Sequence, residues 1–359
     1  MPRVLICEDS RTFAAGLRRV LEYDGDITVA ATCSTAEEAI AALPRVRPDL
    51  VTMDIELPGM DGLAATEEIM ASQPVPVLVL SGRLGHGKDQ AAAALAAGAI
   101  DALEKDTLDP RDPAGVTAAA FRRRVRTLSH ARVIRHPRAR LRDKRITTVC
   151  GRAARVVGIC GSTGAPQVLA RLLAALPADY PIPILIVQHI SLGFTKSLAD
   201  WLNGVTELPV AVPADGTRPE PGAWIAPEGA HLKLAASGRF HLDTRTVAGR
   251  HRPSGDVLFE SIAQAAGAFG IAVVLTGMGS DGAAGAMEVR RRGGLVIAQN
   301  EETSAIFGMP KAAIDGGADL VLGPDEIAAY LRDLRQDQPW PALDTTPTWR
   351  NSSARKQGS

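Results

Sequence analysis

The first 128 residues alternate short apolar runs with longer amphipathic stretches, and this alternation constrains the fold more than any other feature of the sequence. Such runs are typical of strands buried in a parallel sheet, and the stretches between them are typical of covering helices. Helix starts are also marked, since Ser34 and Glu37 have capping-box spacing. The pattern predicts one doubly wound domain over residues 1–128, with strands at 4–7, 27–31, 50–53, 75–80 and 100–103.

A second α/β pattern begins near residue 155. Its buried runs predict strands at 156–160, 182–188, 271–276, 295–299 and 320–322. Shorter strands with Pro and Gly turns between 210 and 242 predict hairpins at one edge of the sheet. We therefore expect a second, mainly parallel doubly wound domain over residues 151–338. The segment 339–359 is rich in Pro, Thr, Ser and Arg and is predicted to be a disordered tail.

The joint between the two patterns is strongly basic. From 121 to 145 the chain carries ten Arg and one Lys against a single acidic residue, Asp143. No aromatic residues are interleaved as they are in single-strand nucleic-acid binders, so we interpret residues 129–150 as a solvated inter-domain linker. A docking site for an acidic partner is the alternative.

Composition excludes several classes of protein. The apolar fraction is 46% and the charged fraction 22%, which are average values for globular proteins, and 40 basic residues balance 40 acidic ones. The charge balance argues against a nucleic-acid partner. The one long uncharged stretch, 261–280, is broken by glycines, which argues against membrane insertion. The four cysteines lack metal-ligand spacing, and no signal peptide is apparent at the start. We expect a cytoplasmic protein.

Polar side chains follow four of the five predicted strands of the first domain. Glu8 and Asp9 follow the first strand, Asp54 the third, Ser81 the fourth and Lys105 the fifth. In a sheet of strand order 2-1-3-4-5 these groups share one edge, where three carboxylates would repel one another unless a hard cation such as Mg²⁺ lay among them. The set predicts that Asp54 accepts a phosphoryl group, with Lys105 neutralising charge and Ser81 recognising the phosphate.

The first strand of the second domain runs into a glycine-rich turn that carries Ser162. At the start of a helix, free backbone N–H groups can stabilise an oxyanion beside this hydroxyl. The glycine spacing does not fit a dinucleotide fingerprint, and Cys160 replaces the first glycine of the hydrolase elbow G-x-S-x-G. A separate type of serine hydrolase is the third interpretation.

Two further residues at strand ends support the hydrolase interpretation. His189 closes the second strand of this domain and is a candidate general base, and Asp281 follows a strand and a glycine-rich turn. A histidine at a strand end is often structural, and an Asp before a helix is often a cap. In a parallel sheet, however, both would lie at the edge that carries Ser162, as a catalytic triad requires.

The two halves resemble two known families. Residues 1–128, including 53–62 around Asp54, resemble the response-regulator receiver family, which has a flavodoxin-like fold. Residues 155–334 are similar to the catalytic domain of chemotaxis protein-glutamate methylesterases of the CheB type. The motifs that carry the second resemblance are Trp224-Ile225-Ala226-Pro227-Glu228-Gly229 with His231, His251-Arg252-Pro253-Ser254 with Asp256, and Phe307-Gly308-Met309-Pro310-Lys311.

The resemblance implies a phosphorylation-activated enzyme whose Ser162, His189 and Asp281 hydrolyse glutamyl methyl esters of chemoreceptors and deamidate certain glutamines. It implies backbone N–H groups near Thr163 and Met278 as the oxyanion hole, a histidine kinase as phosphodonor, Mg²⁺ at the receiver and no cofactor in the catalytic domain. It also suggests that the receiver covers the active site until phosphorylation. A non-catalytic phosphorylation-dependent binding module is the alternative function, and a DNA-binding regulator would need a helix-turn-helix that the second half lacks.

The sequence departs from the family patterns at three positions. Asp106 follows Lys105 where receivers usually have Pro, and Ala102 replaces the usual Tyr or Phe. We therefore expect phosphorylation to be transmitted through backbone and helix shifts. Ala165 replaces a frequent Gly, and its extra methyl group should be tolerated.

Overall fold

The computed structural model describes residues 1–82, 87–133, 153–191, 193–246 and 251–336. The predicted tail and most of the predicted linker lie outside these described residues. The two family-like segments each form their own parallel sheet, as the alternation of strands and helices predicted. Within the described ranges, no helix has the length and apolar character needed to cross a membrane.

The first sheet has the order β2-β1-β3-β4-β5, which is the predicted order, and every pairing in it is parallel. Its central strands β3 and β4 are buried along their whole length, because helices cover both faces. Its strands are β1 Arg3–Cys7, β2 Thr28–Cys33, β3 Leu50–Asp54, β4 Val77–Ser81 and β5 Asp101–Glu104. Its helices are α1 Arg11–Glu22, α2 Ala36–Val46, α3 Gly62–Ser72, α4 Gly87–Ala96 and α5 Val116–Leu128.

The capping box at the start of α2 is shifted by one residue from its predicted place. Thr35, rather than Ser34, is the N-cap, and its hydroxyl accepts from Glu38 N at 3.2 Å. Glu38, rather than Glu37, returns to the backbone and accepts from Ser34 N at 2.9 Å. Glu37 accepts instead from Met60 N across the domain. Both prediction and structure place a polar N-cap before the helix. Because Ser34 and Thr35 are adjacent and either can be an N-cap, the sequence does not say which of the two begins the helix.

The second sheet has seven parallel strands in the order β15-β14-β13-β7-β8-β10-β9. The described strands of this half are β6 Ala153–Ala154, β7 Val156–Gly161, β8 Ile184–Gln188, β9 Val210–Ala211, β10 Ala223–Ile225, β11 His231–Leu234, β12 Phe240–Asp243, β13 Gly270–Val274, β14 Leu295–Gln299, β15 Leu320–Leu322 and β16 Arg335–Gln336. The helices are α6 Ala165–Ala174, α7 Thr195–Val205, α8 Gly255–Ala266, α9 Ala283–Arg291, α10 Met309–Asp315 and α11 Pro324–Arg332. Strands β6 and β16 pair separately.

The segment from 210 to 242 divides between two sheets. Strands β9 and β10 extend the main sheet in parallel, while β11 and β12 form an antiparallel hairpin of their own. This hairpin packs on α8 through Leu234, whose N–H donates to the Ser261 hydroxyl at 2.9 Å. The hairpin thus helps to fix α8, the helix that begins beside the candidate site.

Apolar clusters on both faces of the second sheet hold the neighbouring strands β7, β8 and β13 in place. One cluster includes Ile159, Ile186 and Val273, and the cluster on the opposite face includes Val274 and Phe259. Every residue of these three strands is buried. The loops that follow them therefore start from a rigid edge, which is where parallel α/β sheets usually place functional groups.

Candidate active site

Ser162 lies in the tight turn between β7 and α6. Its N–H donates to Thr276 O at 3.0 Å, and its own carbonyl accepts from Ala165 N at 3.0 Å. The turn needs Gly164 in the left-handed region, at φ 77°. It also needs Gly277, because a Cβ there would lie 2.7 Å from Ser162 Cβ. The half-buried hydroxyl therefore projects from a turn that tolerates little movement.

His189 directly follows β8, beside the serine turn. The register pairs Gly161 with Gln188, and His189 N donates to Gly161 O at 2.9 Å, so Ser162 and His189 leave adjacent strand ends. His189 Nε2 lies 2.8 Å from Asp281 Oδ2. A carboxylate only accepts, so Nε2 carries a proton, and in the neutral ring Nδ1 is then the acceptor. Nδ1 is buried and has no hydrogen-bond partner among the described residues.

Asp281 is held by the start of α8 rather than by its own helix. Its Oδ1 accepts from the Ser254 hydroxyl at 2.7 Å, and its Oδ2 accepts from Gly255 N at 2.6 Å. Burial by itself would raise the pKa of Asp281, but hydrogen bonds from His189, Gly255 and Ser254 outweigh it and hold the pKa well below its usual range. The carboxylate is therefore ionised at neutral pH and orients the imidazole.

The oxyanion candidates flank the serine. Thr163 follows Ser162, and Met278 follows the glycine that lies against it. The backbone N–H groups of Thr163 and Met278 donate to no acceptor among the described residues. These two donors are thus available to an oxygen of a substrate bound at Ser162.

Sequence reasoning assigned no role to three residues that contact the predicted triad. Gln188 Nε2 donates to the carbonyls of Ser162, at 2.8 Å, and His189, at 3.0 Å, which ties the two turns together. Ser254 donates to Asp281, and the His251 ring stacks on His189. Ser254 and His251 lie in a motif that carried the family resemblance, whereas nothing but its place before His189 marked Gln188.

Cys160 is the other nucleophile type near His189. One donor atom from each of Cys160, His189 and Asp281 lies within 4.8 Å of the others. The thiol is fully buried, however, and burial raises its pKa well above its ordinary value. A protonated buried thiol is a poor nucleophile and a poor metal ligand, so Ser162 is the reactive candidate at this edge.

The candidate phosphorylation site lies at the carboxyl edge of the first sheet. Carboxylate oxygens of Glu8, Asp9 and Asp54 lie within 4.8 Å of one another. Lys105 Nζ lies 2.7 Å from both Glu8 and Asp54. Burial raises the pKa of Glu8 and of Asp54, although the hydrogen bonds from Lys105 oppose this. Ser81 Oγ is buried with no partner among the described residues.

Burial also acts on Lys105, but in the opposite direction to its partners. Burial would lower the pKa of this ammonium, yet the hydrogen bonds to Asp54 and Glu8 outweigh it and the pKa is raised. Lys105 therefore keeps its charge. The three clustered carboxyl groups can carry more negative charge than the single Lys105 ammonium neutralises. Oxygen donors of this kind are the ligands that a divalent cation such as Mg²⁺ prefers.

The receiver-like domain contacts the loops of the candidate active site. Ser191, two residues after His189, donates through its hydroxyl to Ala102 O on β5 at 3.3 Å. The Thr127 hydroxyl on α5 lies 3.4 Å from the sulfur of Met278. Phe194, only 1% exposed, packs with the apolar cluster of the first domain. The two domains thus meet at the edge where Ser162 lies.

Two polar side chains also cross between the domains. Gln167 on α6 donates to Leu95 O on α4. Arg132, just after α5, donates through its guanidinium to Glu301 O at 3.2 Å, and its backbone N–H donates to Ala305 O at 3.1 Å. Because Ala305 also packs beside Gly164, these contacts reach the turn that carries the serine.

Comparisons with known proteins identify the family of each half of the chain. A family model described as CheB methylesterase matches residues 157–331, and one described as response regulator receiver domain matches residues 4–112. A protein-glutamate methylesterase/protein-glutamine glutaminase of Anaeromyxobacter dehalogenans is 40% identical over 92% of this chain and 98% of its own length. A protein with the same description from Myxococcus xanthus is 38% identical over 92% of this chain and 96% of its own.

A solved structure is also similar to the second half. The Thermotoga maritima CheB methylesterase catalytic domain is 42% identical, with a TM-score of 0.49, over 50% of this chain and 98% of its own. The fold and the two strand-edge sites define a response regulator whose output domain is of the hydrolase type. The full-length relatives go further, and the chain belongs to the CheB family of chemotaxis methylesterases with an N-terminal receiver domain.

Proposed function

We propose that this chain is a protein-glutamate methylesterase of chemotaxis-type signalling that demethylates glutamyl methyl esters of chemoreceptors and deamidates certain of their glutamines. The observation that carries the proposal is the position of His189, whose Nε2 is bound to Asp281 while Nδ1 is left free beside the Ser162 turn. The descriptions of its full-length relatives support the substrate class. The chain is accordingly a carboxylic ester hydrolase.

The reaction uses Nδ1 of His189 as the base. Ser162 Oγ attacks the ester carbonyl and its proton passes to Nδ1, while Asp281 stabilises the imidazolium that forms. The oxyanion accepts hydrogen bonds from the N–H groups of Thr163 and Met278. Collapse expels methanol, or ammonia from a glutamine, which takes the proton from His189. Water then attacks the acyl-serine with His189 again as base, and the glutamate carboxylate is released.

The receiver site is proposed to take its phosphoryl group on Asp54 from a histidine kinase. Glu8, Asp9 and Asp54 would hold Mg²⁺, which supplies charge neutralisation for phosphoryl transfer when it is bound. Lys105 holds the Asp54 carboxylate before transfer and is placed to pair with the phosphoryl oxygens afterwards. The unpartnered Ser81 hydroxyl is the donor available to them. These groups fit a phosphorylation site of the receiver type.

Regulation follows from the contact between the domains. The receiver packs against the loop after His189 and against Met278, so in this arrangement it narrows the approach to Ser162. Phosphorylation would shift the population toward an open arrangement. We propose that the protein works in the cytoplasm with chemoreceptors as substrates and a histidine kinase as phosphodonor, and with no nucleic-acid partner.

A single substitution tests the catalytic assignment. Ser162→Ala should remove nearly all methanol release from methylated receptor preparations, with a loss on the order of 10⁴-fold or more, because Ser162 is the one candidate nucleophile at this edge among the residues that the structure describes. Ser72→Ala, on an exposed face of α3, is the matched control and should leave the rate unchanged. Retention of activity by Ser162→Ala would contradict the proposal.

Covalent labelling separates the enzyme from the alternative, a non-catalytic phosphorylation-dependent binding module. A serine-directed phosphonate should label the phosphorylated chain at Ser162, and the Ser162→Ala variant should take up none. A binding module has no activated serine, so absence of label on the parent chain would favour that alternative.

A further inference from the structure

The rings of His189 and His251 are stacked. Their centroids lie 4.2 Å apart and their planes differ by 14°, so one face of the candidate base is covered by a second imidazole. The mechanism above uses His189 and leaves His251 without a role. Two nearly parallel rings at this distance leave little room for either ring to tilt.

The known contacts of His189 leave one motion unrestrained. The hydrogen bond to Asp281 fixes the position of Nε2 but lets the ring tilt about that bond, and Nδ1 has no described partner. Proton transfer from Ser162 requires Nδ1 to point at the hydroxyl within a narrow range of angles. A ring held only at Nε2 would spend part of its time misaligned, and a flat surface against its face prevents this.

The segment that carries His251 is anchored by the residues that directly follow it. Arg252 donates to Thr244 O at 3.1 Å and to Thr246 O at 2.8 Å. Three residues after His251, Ser254 donates to Asp281 Oδ1. The same short segment therefore contacts both the face of His189 and the carboxylate that holds its Nε2. A shift of this segment would move both restraints together.

We infer that His251 is a positioning residue that aligns the His189 imidazole with Ser162 through the stacked contact of their rings. The inference rests on the proposed function. In this role the aromatic face of His251, rather than its nitrogen atoms, acts on the His189 ring. A flat ring without nitrogen should therefore replace it.

The test compares two substitutions in the full-length chain, phosphorylated with a small-molecule phosphodonor and Mg²⁺, using methanol release from methylated receptors. His251→Ala should lower kcat about 10-fold or more with KM changed less than about 2-fold, because alignment acts on the chemical step. His251→Phe keeps a ring in place and should restore kcat to within about 3-fold of the parent. His241→Ala, at an exposed histidine of β12, is the control and should be neutral.

Labelling by the serine-directed phosphonate gives a second readout, and its rate should fall in His251→Ala and recover in His251→Phe. A His251→Ala variant with the parent's kcat, or a His251→Phe variant as slow as His251→Ala, would overturn the inference. Thermal unfolding of each variant checks that the fold is kept, which we expect because the His251 side chain is exposed. Failure of the proposed function is a separate result, since it would appear as activity in Ser162→Ala.

Discussion

At the scale of single residues, the candidate site depends on hydrogen bonds from one helix start. Asp281 accepts from the Ser254 hydroxyl and from two backbone N–H groups, of Gly255 and Asp256, as well as from His189. Charge-assisted bonds of this kind keep the carboxylate ionised and fixed in direction. The positive end of α8 adds to the same effect. The imidazole is therefore oriented by a group that is itself fully bonded.

Replacing Asp281 tests this arrangement. Asp281→Asn places an NH₂ group among the N–H and O–H donors that now bind the carboxylate, which leaves at least one of these donors unpaired. It also favours the imidazole tautomer in which Nε2 carries no proton, so kcat should fall on the order of 10⁴-fold. The measurement is methanol release by the phosphorylated chain. Asp200→Asn, in an exposed ion pair on α7, is the isosteric control and should be close to neutral.

The same variant should show a defined pH dependence of stability. The pKa of Asp281 is depressed in the folded chain, so its contribution is fully present above the unfolded value of about 3.9 and is lost as pH falls toward the folded value. The difference in unfolding free energy between parent and Asp281→Asn should therefore be constant near neutral pH and shrink below about pH 5. A difference that grows on acidification would contradict the assignment.

At the scale of elements, both candidate sites are built at the carboxyl ends of strands that run parallel in one sheet. β1, β3 and β5 deliver Glu8, Asp54 and Lys105 to one place, and β7 and β8 deliver Ser162 and His189 to another. Parallel strands end at one edge, so residues distant in the chain meet without long loops. Desolvation at the buried strand ends raises the pKa of the receiver carboxyl groups.

Binding of Mg²⁺ to the receiver should depend on pH in a direction set by these shifts. The pKa values of Glu8 and Asp54 are raised in the folded chain. In the absence of metal, these groups therefore contribute most to the free energy of unfolding at low pH, and the contribution is lost as pH rises and the carboxylates ionise. Mg²⁺ needs the ionised form, so its affinity measured by titration calorimetry should increase as pH rises above the ordinary carboxyl range of about 4.

Two variants control that measurement. Asp54→Asn removes one proposed ligand and should weaken Mg²⁺ binding at every pH. Glu56→Gln changes an exposed acid two residues away and should leave the affinity within about 2-fold of the parent. An affinity that does not vary with pH, or that survives Asp54→Asn unchanged, would show that the metal binds elsewhere.

At the scale of the whole molecule, two rigid α/β units meet at the edge that carries the candidate active site. The contact includes the buried Phe194, the bond from Ser191 to β5, and the side chains of Gln167 and Arg132 that reach carbonyls of the other unit. β5 ends next to Lys105, which binds Asp54. The backbone carbonyl of Ala102 on β5 accepts the bond from Ser191. A shift of β5 would therefore move the loop after His189 without the need for an aromatic switch residue.

Weakening this contact should raise the activity of the unphosphorylated chain. Gln167→Ala combined with Arg132→Ala removes two inter-domain hydrogen bonds, each worth about 1 kcal/mol, so each should favour the open arrangement about 5-fold. The phosphorylated rate should change little, because neither side chain contacts the triad. Arg171→Ala, whose partner Asp325 lies within the second domain, is the matched control. An unchanged unphosphorylated rate would remove the inhibition model.

The receiver resemblance implied the strand order of the first domain, while the sequence by itself determined the two α/β domains and the strand ends that carry Ser162, His189 and Asp54. These follow from local periodicity and from the geometry of parallel sheets, which need no knowledge of packing. Element ends are defined less sharply by the sequence, as the one-residue shift to Thr35 at α2 shows, because adjacent polar residues compete for the same cap. The domain boundaries, including the linker at 129–150, stay predictions.

Only the tertiary structure decided which imidazole nitrogen binds Asp281, that α8 rather than α9 holds Asp281, and that His251 covers His189. It also decided that the receiver lies over the site edge. Each of these depends on the angle and distance at which packed elements meet, and such quantities are set by the whole core rather than by any local pattern. A linear sequence identifies the groups, while their contacts arise only when the two sheets and their helices are assembled.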